Sequence, residues 1–355
     1  MDAALNSLVE RVRKAASDRQ PLCIRGGGTK DFYGNAPRGE VLDSCVLRGV
    51  VAYEPSELVI TALAGTPLAE LEAVLAAKGQ MLPFEPPHFG EDATVGGCIA
   101  AGLAGPRRAS YGTTYGGVRD FVLGARLLDG RGNLLTFGGQ VMKNVAGYDM
   151  ARTLAGSLGT LGVIVEVSLK VLPRPVAEMT LGFEMDATQA LARSNEWGGL
   201  PLPITASAWW EGRLALRLAG APAALAAGRA RLGGDAIDGS AFWHSVREQR
   251  HAFFAGDAPL WRLSLPSTAG PTGLPGPQLI EWGGALRWTR STLPADEIRA
   301  RARALGGHAT LFRGGDRSSG VFTTPSPAML AIQRRLKAEF DPAGIFNPGR
   351  MYPEF

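Results

Sequence analysis

Three glycine-rich segments, widely separated along this 355-residue chain, constrain its fold more than any other feature. They read IRGGGTK over residues 24–30, ATVGGCIAAGLAGPRRASYG over 93–112, and KNVAGYDMARTLAGSLGTLGVI over 143–164. Because glycine has no side chain, such segments let the main chain approach another group closely and turn its N–H groups toward it. The fold has to accommodate three such bends.

The first segment matches neither of the common nucleotide-binding loops. A P-loop needs a spaced glycine and then Gly-Lys-Ser/Thr, whereas Thr29 here precedes Lys30. A Rossmann loop opens a helix, but the residues DFYGN that follow are a poor helix start. The successive glycines still favour an anion-binding nest, with Arg25 and Lys30 adding positive charge at its rim. A plain tight turn after a strand is the alternative.

The second and third segments each allow a ligand-binding and a structural interpretation. Thr94 is suited to cap a helix whose first N–H groups are unpaired and would favour a phosphate, and Gly96 and Gly97 permit close approach. Gly159 and Gly162 lead into an apolar strand and favour close approach to a planar group. The alternatives are core packing of a small-residue helix and a glycine bend at a sheet corner.

Apolar patterning around the glycine segments predicts an α+β protein. Strand-like runs occupy residues 21–24, 41–54, 57–65, 121–138 and 159–173, the fourth holding two strands joined by a turn. A helix is predicted after Pro67, with Leu68, Leu71 and Leu75 on its inner face. Pro173 and Pro175 then mark a boundary.

The composition changes beyond Pro175, where all seven tryptophans lie. These side chains are interpreted as core and interface filler, with the lining of a substrate cavity as the alternative. The predicted domains are a cofactor domain over residues 1–174, a smaller mixed domain over 175–330, and a segment over 331–355 that returns to the first.

Charge and cysteine usage exclude several classes of protein. The net charge is +4, but the basic residues are scattered, and those at 299–303 fit a solvated helix face better than a nucleic-acid footprint. Cys23, Cys45 and Cys98 lie in apolar runs, read as buried residues, and are too few for an iron–sulfur cluster in this chain alone. No signal peptide or spanning segment is predicted, so the expected location is the cytoplasm, with partner subunits as the route to any membrane association.

The four histidines predict no metal site. His244 and His251 are seven residues apart in a helical pattern, which separates them by about 10 Å along the axis. A single zinc ion needs both nitrogens within about 2.1 Å. His88 and His308 are interpreted as loop histidines with ordinary hydrogen bonds.

Taken in order, the three glycine segments and the terminal LKAEFDPAGIFNPGR over 336–350 resemble the motifs of PCMH-type FAD-binding flavoproteins, the vanillyl-alcohol oxidase superfamily. The resemblance is strong over 21–173 and the last twenty or so residues, and looser between them. Within the superfamily the chain is similar to the FAD-binding subunits of bacterial glycolate oxidases. The resemblance implies a two-subdomain FAD-binding domain followed by a smaller mixed α/β cap domain.

The resemblance also implies the cofactor and its site. The matching cofactor-binding residues are Arg25, Gly26, Gly27, Gly28, Thr29 and Lys30 in the first segment, Thr94, Gly96, Gly97, Tyr111 and Gly112 in the second, Gly159, Gly162, Val163 and Ile164 in the third, and Asn347 near the C terminus. Some members attach FAD covalently through a histidine of the first loop. Thr29 follows the glycines here and the loop holds no histidine or cysteine, so noncovalent FAD is predicted.

Related 2-hydroxy acid dehydrogenases look as if they use a histidine-rich metal motif, which this chain lacks, so its catalytic residues stay unassigned. Oxidation by this chain itself would need another arrangement, for which Arg313 and Arg350 are candidate anchors of a substrate carboxylate. The resemblance implies an FAD-binding subunit of a complex that oxidises a small 2-hydroxy acid, with a catalytic flavoprotein and an iron–sulfur protein as partners and no nucleic acid. A self-sufficient flavin oxidoreductase and a non-redox assembly subunit are the alternatives.

Overall fold

The computed structural model describes residues 2–108, 116–139 and 149–354, which form two compact units. The first unit comprises Met1–Leu103, Gly117–Pro173 and Thr324–Phe355, and the second comprises Ala104–Gly116 and Arg174–Thr323. The last segment of the chain therefore packs with its beginning. The predicted α+β class is confirmed, while the functional names given to the predicted domains remain proposals.

The first unit is built on antiparallel and parallel pairs of short strands. Its strands are β1 Leu22–Arg25, β2 Glu40–Asp43, β3 Val50–Glu54, β4 Val59–Leu63, β5 Gln80–Met81, β6 Val122–Leu128, β7 Leu134–Gly138, β8 Val163–Lys170 and β9 Leu172–Pro173. A five-stranded antiparallel sheet has the order β3-β4-β8-β6-β7, β1 pairs parallel with β2, and β5 pairs with β9. Strand β8 is central and largely buried, which explains its nearly continuous apolar sequence.

The described residues before Arg174 contain five α-helices. They are α1 Asp2–Asp18, α2 Leu68–Ala76, α3 Val95–Ala101, α4 Val118–Phe121 and α5 Met150–Thr153. The predicted helix after Pro67 is confirmed, with Leu68, Leu71 and Leu75 all buried. Two predicted hairpin strands are confirmed as β6 and β7.

The second unit is a mixed α/β layer built on one eight-stranded antiparallel sheet. Its strands are β10 Ala177–Glu184, β11 Ile204–Trp210, β12 Arg213–Gly220, β13 Asp235–Ile237, β14 Leu260–Ser264, β15 Gln278–Glu281, β16 Leu286–Arg290 and β17 His308–Arg313, in the order β13-β10-β12-β11-β15-β16-β14-β17. Its helices are α6 Ala187–Gly198, α7 Pro222–Leu232, α8 Ser240–Arg247 and α9 Ala295–Ala304. The chain then returns to the first unit with α10 Pro327–Phe340.

One hydrophobic core fixes the start of the chain to its end. Leu8 and Val12 of α1 pack with Leu22 of β1, Val163 of β8 and Phe346 of the C-terminal segment, all of them buried. Residue Leu22 also forms a parallel bridge with Phe346. This core sets the direction in which β1 runs into the first glycine segment.

The interior of the second unit holds most of the tryptophans, as the core interpretation predicts. The buried ones are Trp197, Trp243, Trp261, Trp282 and Trp288.

The prediction of a solvated face over 299–303 is wrong for Arg299, which is only 6% exposed and donates to the carbonyl oxygens of Ser319 and Gly320. The prediction of three buried cysteines holds for Cys23 and Cys98, whereas Cys45 is half-buried. None of the helices in the described ranges is long and apolar enough to cross a membrane.

Candidate cofactor site

One cleft of the first unit brings the three glycine-rich segments together. The cleft is open on one side, and its empty space of about 740 Å³ includes part of the adjoining solvent. Its walls are residues 24–31, Ser44, Ala64, Thr94, Gly96, Gly97, Ala100, Ala101, Leu158, Gly159, Gly162, Ile164, Asn347 and Arg350. Residues of all three glycine-rich segments therefore line a single crevice.

The first glycine segment presents unpaired main-chain donors to this cleft. Strand β1 ends at Arg25, and the chain then turns through Gly28, whose φ is +72°. Across the described ranges, no protein group accepts a hydrogen bond from the backbone N–H groups of residues 26–29. Unpaired main-chain N–H groups in a tight loop form the kind of nest that binds anions. The N–H groups of the loop are therefore available to donate to the oxygens of a phosphate group.

Packing inside the protein explains why positions 26, 27 and 28 are glycines. A Cβ on Gly27 would lie 2.5 Å from the carbonyl carbon of Asp92 and closer still to its oxygen. A Cβ on Gly26 would collide with the hydroxyl of Thr94, and one on Gly28 would lie 2.8 Å from the guanidinium carbon of Arg25. The loop keeps its shape only because no side chain intervenes between it and the 92–94 segment.

The basic residues at the rim are held in place by neighbouring groups. Arg25 Nε lies 2.7 Å from Asp31 Oδ2 in a half-exposed ion pair. Lys30 Nζ donates to the carbonyl oxygen of His88 at 3.1 Å and lies 5.6 Å from the Phe89 ring centroid. The Arg25 guanidinium and the Lys30 ammonium therefore lie in defined positions beside the loop, where their positive charge would attract an anion from solvent.

The second glycine segment contributes its shape, and its helix does not offer the unpaired donors that the sequence predicts. At the start of α3, Val95 N donates to Thr66 O at 2.9 Å and Gly96 N donates to Ala64 O at 2.7 Å. Thr94 is the N-cap, as predicted, and its hydroxyl accepts from Gly97 N at 3.2 Å. The expectation of free N–H groups at this helix start is therefore wrong, because carbonyls from the turn after β4 already occupy them.

The third glycine segment combines both interpretations. A Cβ on Gly159 would lie 2.7 Å from Asn347 Nδ2, and one on Gly162 would lie 2.6 Å from Leu128 O at the end of β6. Gly162 therefore makes the close sheet-corner approach that was the structural alternative. Both glycines also line the cleft. This bend therefore allows close packing within the fold and also forms part of the wall of the site.

Most of the predicted cofactor-binding residues meet in this cleft. Those that line it are Arg25, Gly26, Gly27, Gly28, Thr29, Lys30, Thr94, Gly96, Gly97, Gly159, Gly162, Ile164 and Asn347. Val163 does not line it, because its side chain is fully buried in the core of the unit. Tyr111 and Gly112 lie outside the described residues.

Asn347 lines the cleft, and its side chain is hydrogen-bonded within the protein. Its side-chain oxygen accepts from Ile24 N at 2.7 Å, and its Nδ2 donates to Leu158 O at 2.6 Å. The amide is thus bonded to the two walls of the cleft. Its geometry therefore supports a bracing role between those two walls.

Sequence reasoning missed Ala64 in the wall of the cleft, whereas Ala100 and Ala101 belong to the small-residue helix that it predicted. Ala64 follows β4, and Ala100 and Ala101 lie on α3. The run of small side chains after Gly97 was the available signal for α3, whereas nothing in the sequence around Ala64 distinguishes it.

Of the two candidate carboxylate anchors, Arg350 lines the cleft but is only 7% exposed, and it donates to the carbonyl oxygens of Asp31 and Asn35. The other, Arg313, ends β17 in the second unit.

His88 and His251 each contact neighbouring side chains. His88 Nε2 lies 3.0 Å from Glu72 Oε2. His251 packs edge-on against Trp210 and Phe242, and burial lowers its pKa. Among the residues that the structure describes, no three His, Cys, Asp or Glu side chains come close enough together to hold a metal ion.

The three thiols are poor nucleophiles at neutral pH. Burial raises the pKa of Cys98 to about 12. Burial, with the Asp43 carboxylate as a second cause, raises the pKa of Cys45 to about 11, and burial also raises the pKa of Cys23. Because the thiolate is the reactive form, these side chains stay protonated and inert near pH 7.

Comparison with known families agrees with this geometry. The family model described as "FAD binding domain" matches residues 4–138. A second model, "FAD linked oxidases, C-terminal domain", matches residues 314–351. The matched ranges include the first two glycine segments and the Asn347 motif.

Individual relatives cover the chain to different extents. The glycolate oxidase subunit GlcE of Escherichia coli K12 is 50% identical over 348 residues, which span 98% of this chain and 97% of that protein. The glycolate oxidase subunit GlcD of Bacillus subtilis is 31% identical over 176 residues, 49% of this chain and 36% of that protein. The D-lactate dehydrogenase of Archaeoglobus fulgidus is 34% identical over 176 residues, 49% of this chain and 38% of that protein.

Similarity to solved structures extends over almost the whole chain. Alkyldihydroxyacetonephosphate synthase superposes with a TM-score of 0.66 at 16% identity, over 97% of this chain and 74% of that one. At that identity the likeness concerns the fold alone. The match to GlcE is much closer, because half of the residues are identical over nearly the full length of both proteins. The chain therefore carries an FAD binding domain and belongs to the GlcE family of glycolate oxidase subunits, which are FAD-linked oxidoreductases.

Proposed function

We propose that this chain binds FAD noncovalently in the cleft of its first unit and relays electrons within a complex that oxidises glycolate or a similar 2-hydroxy acid. A catalytic flavoprotein subunit would supply the electrons and an iron–sulfur subunit would accept them. The observation that carries the proposal is the set of unpaired N–H groups at residues 26–29, facing a crevice that two other glycine bends complete.

The residues of the cleft fit the cofactor's diphosphate. A diphosphate offers several charged oxygens, and main-chain N–H groups bonded to charged oxygens make strong hydrogen bonds. Lys30 and Arg25 add positive charge beside them, while Gly96, Gly97 and Gly159 leave room along the walls. FAD, when bound, supplies the hydride and single-electron transfer that no side chain can perform. The chain's own part is to bind and orient it and to keep its charge compensated.

The nucleophiles of this unit support noncovalent attachment. No histidine or cysteine occurs in the loop over residues 24–31. Cys98, on α3 beside the cleft, is 2% exposed and stays a neutral thiol. Thr29 carries only a hydroxyl, and Lys30 Nζ lies 3.4 Å from it. The expected site thus holds FAD by hydrogen bonds and packing alone.

The relay role is favoured over independent catalysis because the cleft offers donors for a cofactor, whereas the part of the chain that the structure describes holds no metal-binding cluster of the kind expected at a substrate site. The sequence lacks the histidine-rich motif of the related hydroxy acid dehydrogenases. Arg350 is already committed to main-chain carbonyls. The partner subunits also supply the proposed route to a membrane, with the chain itself in the cytoplasm.

The test compares the purified chain with the chain purified together with its catalytic and iron–sulfur partners. Flavin content, flavin release by acid precipitation, and bleaching of the flavin absorbance on anaerobic addition of glycolate are measured for each. We expect the chain alone to be yellow, to release all its flavin into the acid supernatant, and to stay oxidised with glycolate. In the complex, both flavins are expected to bleach.

Each alternative has its own outcome in this experiment. Bleaching of the isolated chain by glycolate would establish a self-sufficient oxidoreductase. A colourless chain that takes up no added FAD, but is still required for assembly of the complex, would establish a non-redox subunit. Flavin that stays with the acid precipitate would contradict noncovalent attachment.

A further inference from the structure

A buried ion pair near the C terminus ties together segments that carry the cleft. Lys337 Nζ lies 2.6 Å from Asp341 Oδ2, and the two side chains are 7% and 0% exposed. The same ammonium donates to Thr160 O at 2.7 Å and to Phe346 O at 2.8 Å. All three of its donors are therefore used, and one of them reaches the third glycine segment directly.

The carboxylate of Asp341 shapes the turn that follows α10. Its Oδ1 accepts from Ile345 N at 3.0 Å and its Oδ2 accepts from Phe346 N at 2.8 Å. With the bond from Lys337, the carboxylate fixes both ends of residues 341–346. The turn has no freedom to place the next residue elsewhere without breaking buried hydrogen bonds, which is costly.

That next residue is Asn347, which joins two walls of the cleft. Its backbone N–H donates to Leu22 O at 2.9 Å, and its side-chain amide bonds Ile24 N and Leu158 O. Its φ of +41° is in the left-handed region, where asparagine is better tolerated than most residues. The first glycine segment begins at Ile24, and the third includes Leu158.

We propose that Lys337 and Asp341 are positioning residues for the FAD site: they place Asn347, which in turn holds the first and third glycine segments at the separation that the cofactor needs. This inference rests on the proposed binding of FAD in the cleft. A buried ion pair often contributes little net stability relative to apolar residues of similar volume. Its effect should therefore be visible in ligand affinity rather than in stability alone.

The test uses the double variant Lys337→Met/Asp341→Leu, which removes both charges together so that neither is left buried alone. The control is Lys14→Met/Asp18→Leu on α1, an ion pair with the same spacing but 77% and 45% exposed. FAD is titrated into each apo chain, and the melting temperature of each apo chain is recorded. We expect the test variant to melt below the wild type, because four buried main-chain groups lose their partners. At a temperature where it is folded, it should bind FAD about tenfold more weakly or worse, a loss comparable with that of one or two hydrogen bonds.

A second variant identifies the route through Asn347 and covers the case in which the double variant does not fold. Asn347→Gly removes the amide but keeps the left-handed backbone, and we expect it to weaken FAD binding by a similar factor. Combining it with the ion-pair substitutions should weaken binding no further, since coupled residues are non-additive. Multiplying effects, or wild-type affinity in Asn347→Gly or in the folded ion-pair variant, would overturn the inference. A wild-type chain that binds no FAD would instead refute the proposed function.

Discussion

Replacing Gly27 by alanine should reduce FAD affinity by at least about 100-fold, equivalent to ~2.7 kcal/mol. The new Cβ would lie 2.5 Å from the carbonyl carbon of Asp92 and closer to its oxygen, so main chain has to move on one side of the contact. Movement of the loop would redirect the N–H groups of residues 26–29, which are the proposed diphosphate donors. Titration of the apo variant with FAD measures the loss.

The control for this substitution is Gly139→Ala in the same unit. A Cβ at Gly139 has no heavy atom within 4 Å, and its backbone is not in the left-handed region. Its FAD affinity and melting temperature should match those of the wild type. If Gly27→Ala binds FAD as tightly as Gly139→Ala does, the loop is not the element that holds the cofactor.

The second large effect is expected in the other unit, where Arg287→Met should lower the free energy of unfolding by about 2–4 kcal/mol. Arg287 is 1% exposed, and its guanidinium donates to the carbonyl oxygens of Gly284, Gly270 and Ala269. Burial lowers its pKa to about 10, so it remains charged at pH 7 and keeps its donors. The variant would leave three carbonyl groups without this donor.

Tryptophan fluorescence during urea unfolding measures this effect selectively, because all seven tryptophans belong to the second unit. Arg303→Met is the control, since that arginine lies exposed on α9. FAD affinity of Arg287→Met should stay close to wild type, because the proposed cleft lies in the first unit. An unfolding transition unchanged from the control would show that the buried guanidinium is not needed.

Local patterns predicted those parts of the molecule whose surroundings are set by nearby sequence. A buried strand was predicted from the apolar run of β8, and a buried helix face was predicted from the spacing of Leu68, Leu71 and Leu75 on α2. The structure has both. Thr94 was recognisable as a cap because capping involves residues only three positions apart. The ordered glycine motifs predicted the cleft through resemblance, since each of them alone is equally compatible with a turn.

Features that depend on distant partners could not be predicted. The N–H of Gly96 is occupied by Ala64 O, from a separate stretch of chain. Arg299 looks like a surface residue in an arginine-rich helix, yet carbonyls of the 319–320 turn surround its guanidinium. Lys337 likewise has the sequence context of a solvated helix, and only folding brings Thr160 and Phe346 to its ammonium.

The most direct measurement is a titration of the apo chain with FAD and with riboflavin, which has the same ring system but no phosphate. If the N–H groups of residues 26–29 hold the diphosphate, FAD should bind about 100-fold more tightly or better, because two or more hydrogen bonds to charged oxygens contribute roughly 1.5–3 kcal/mol each. Equal affinities for the two compounds would contradict that assignment of the loop.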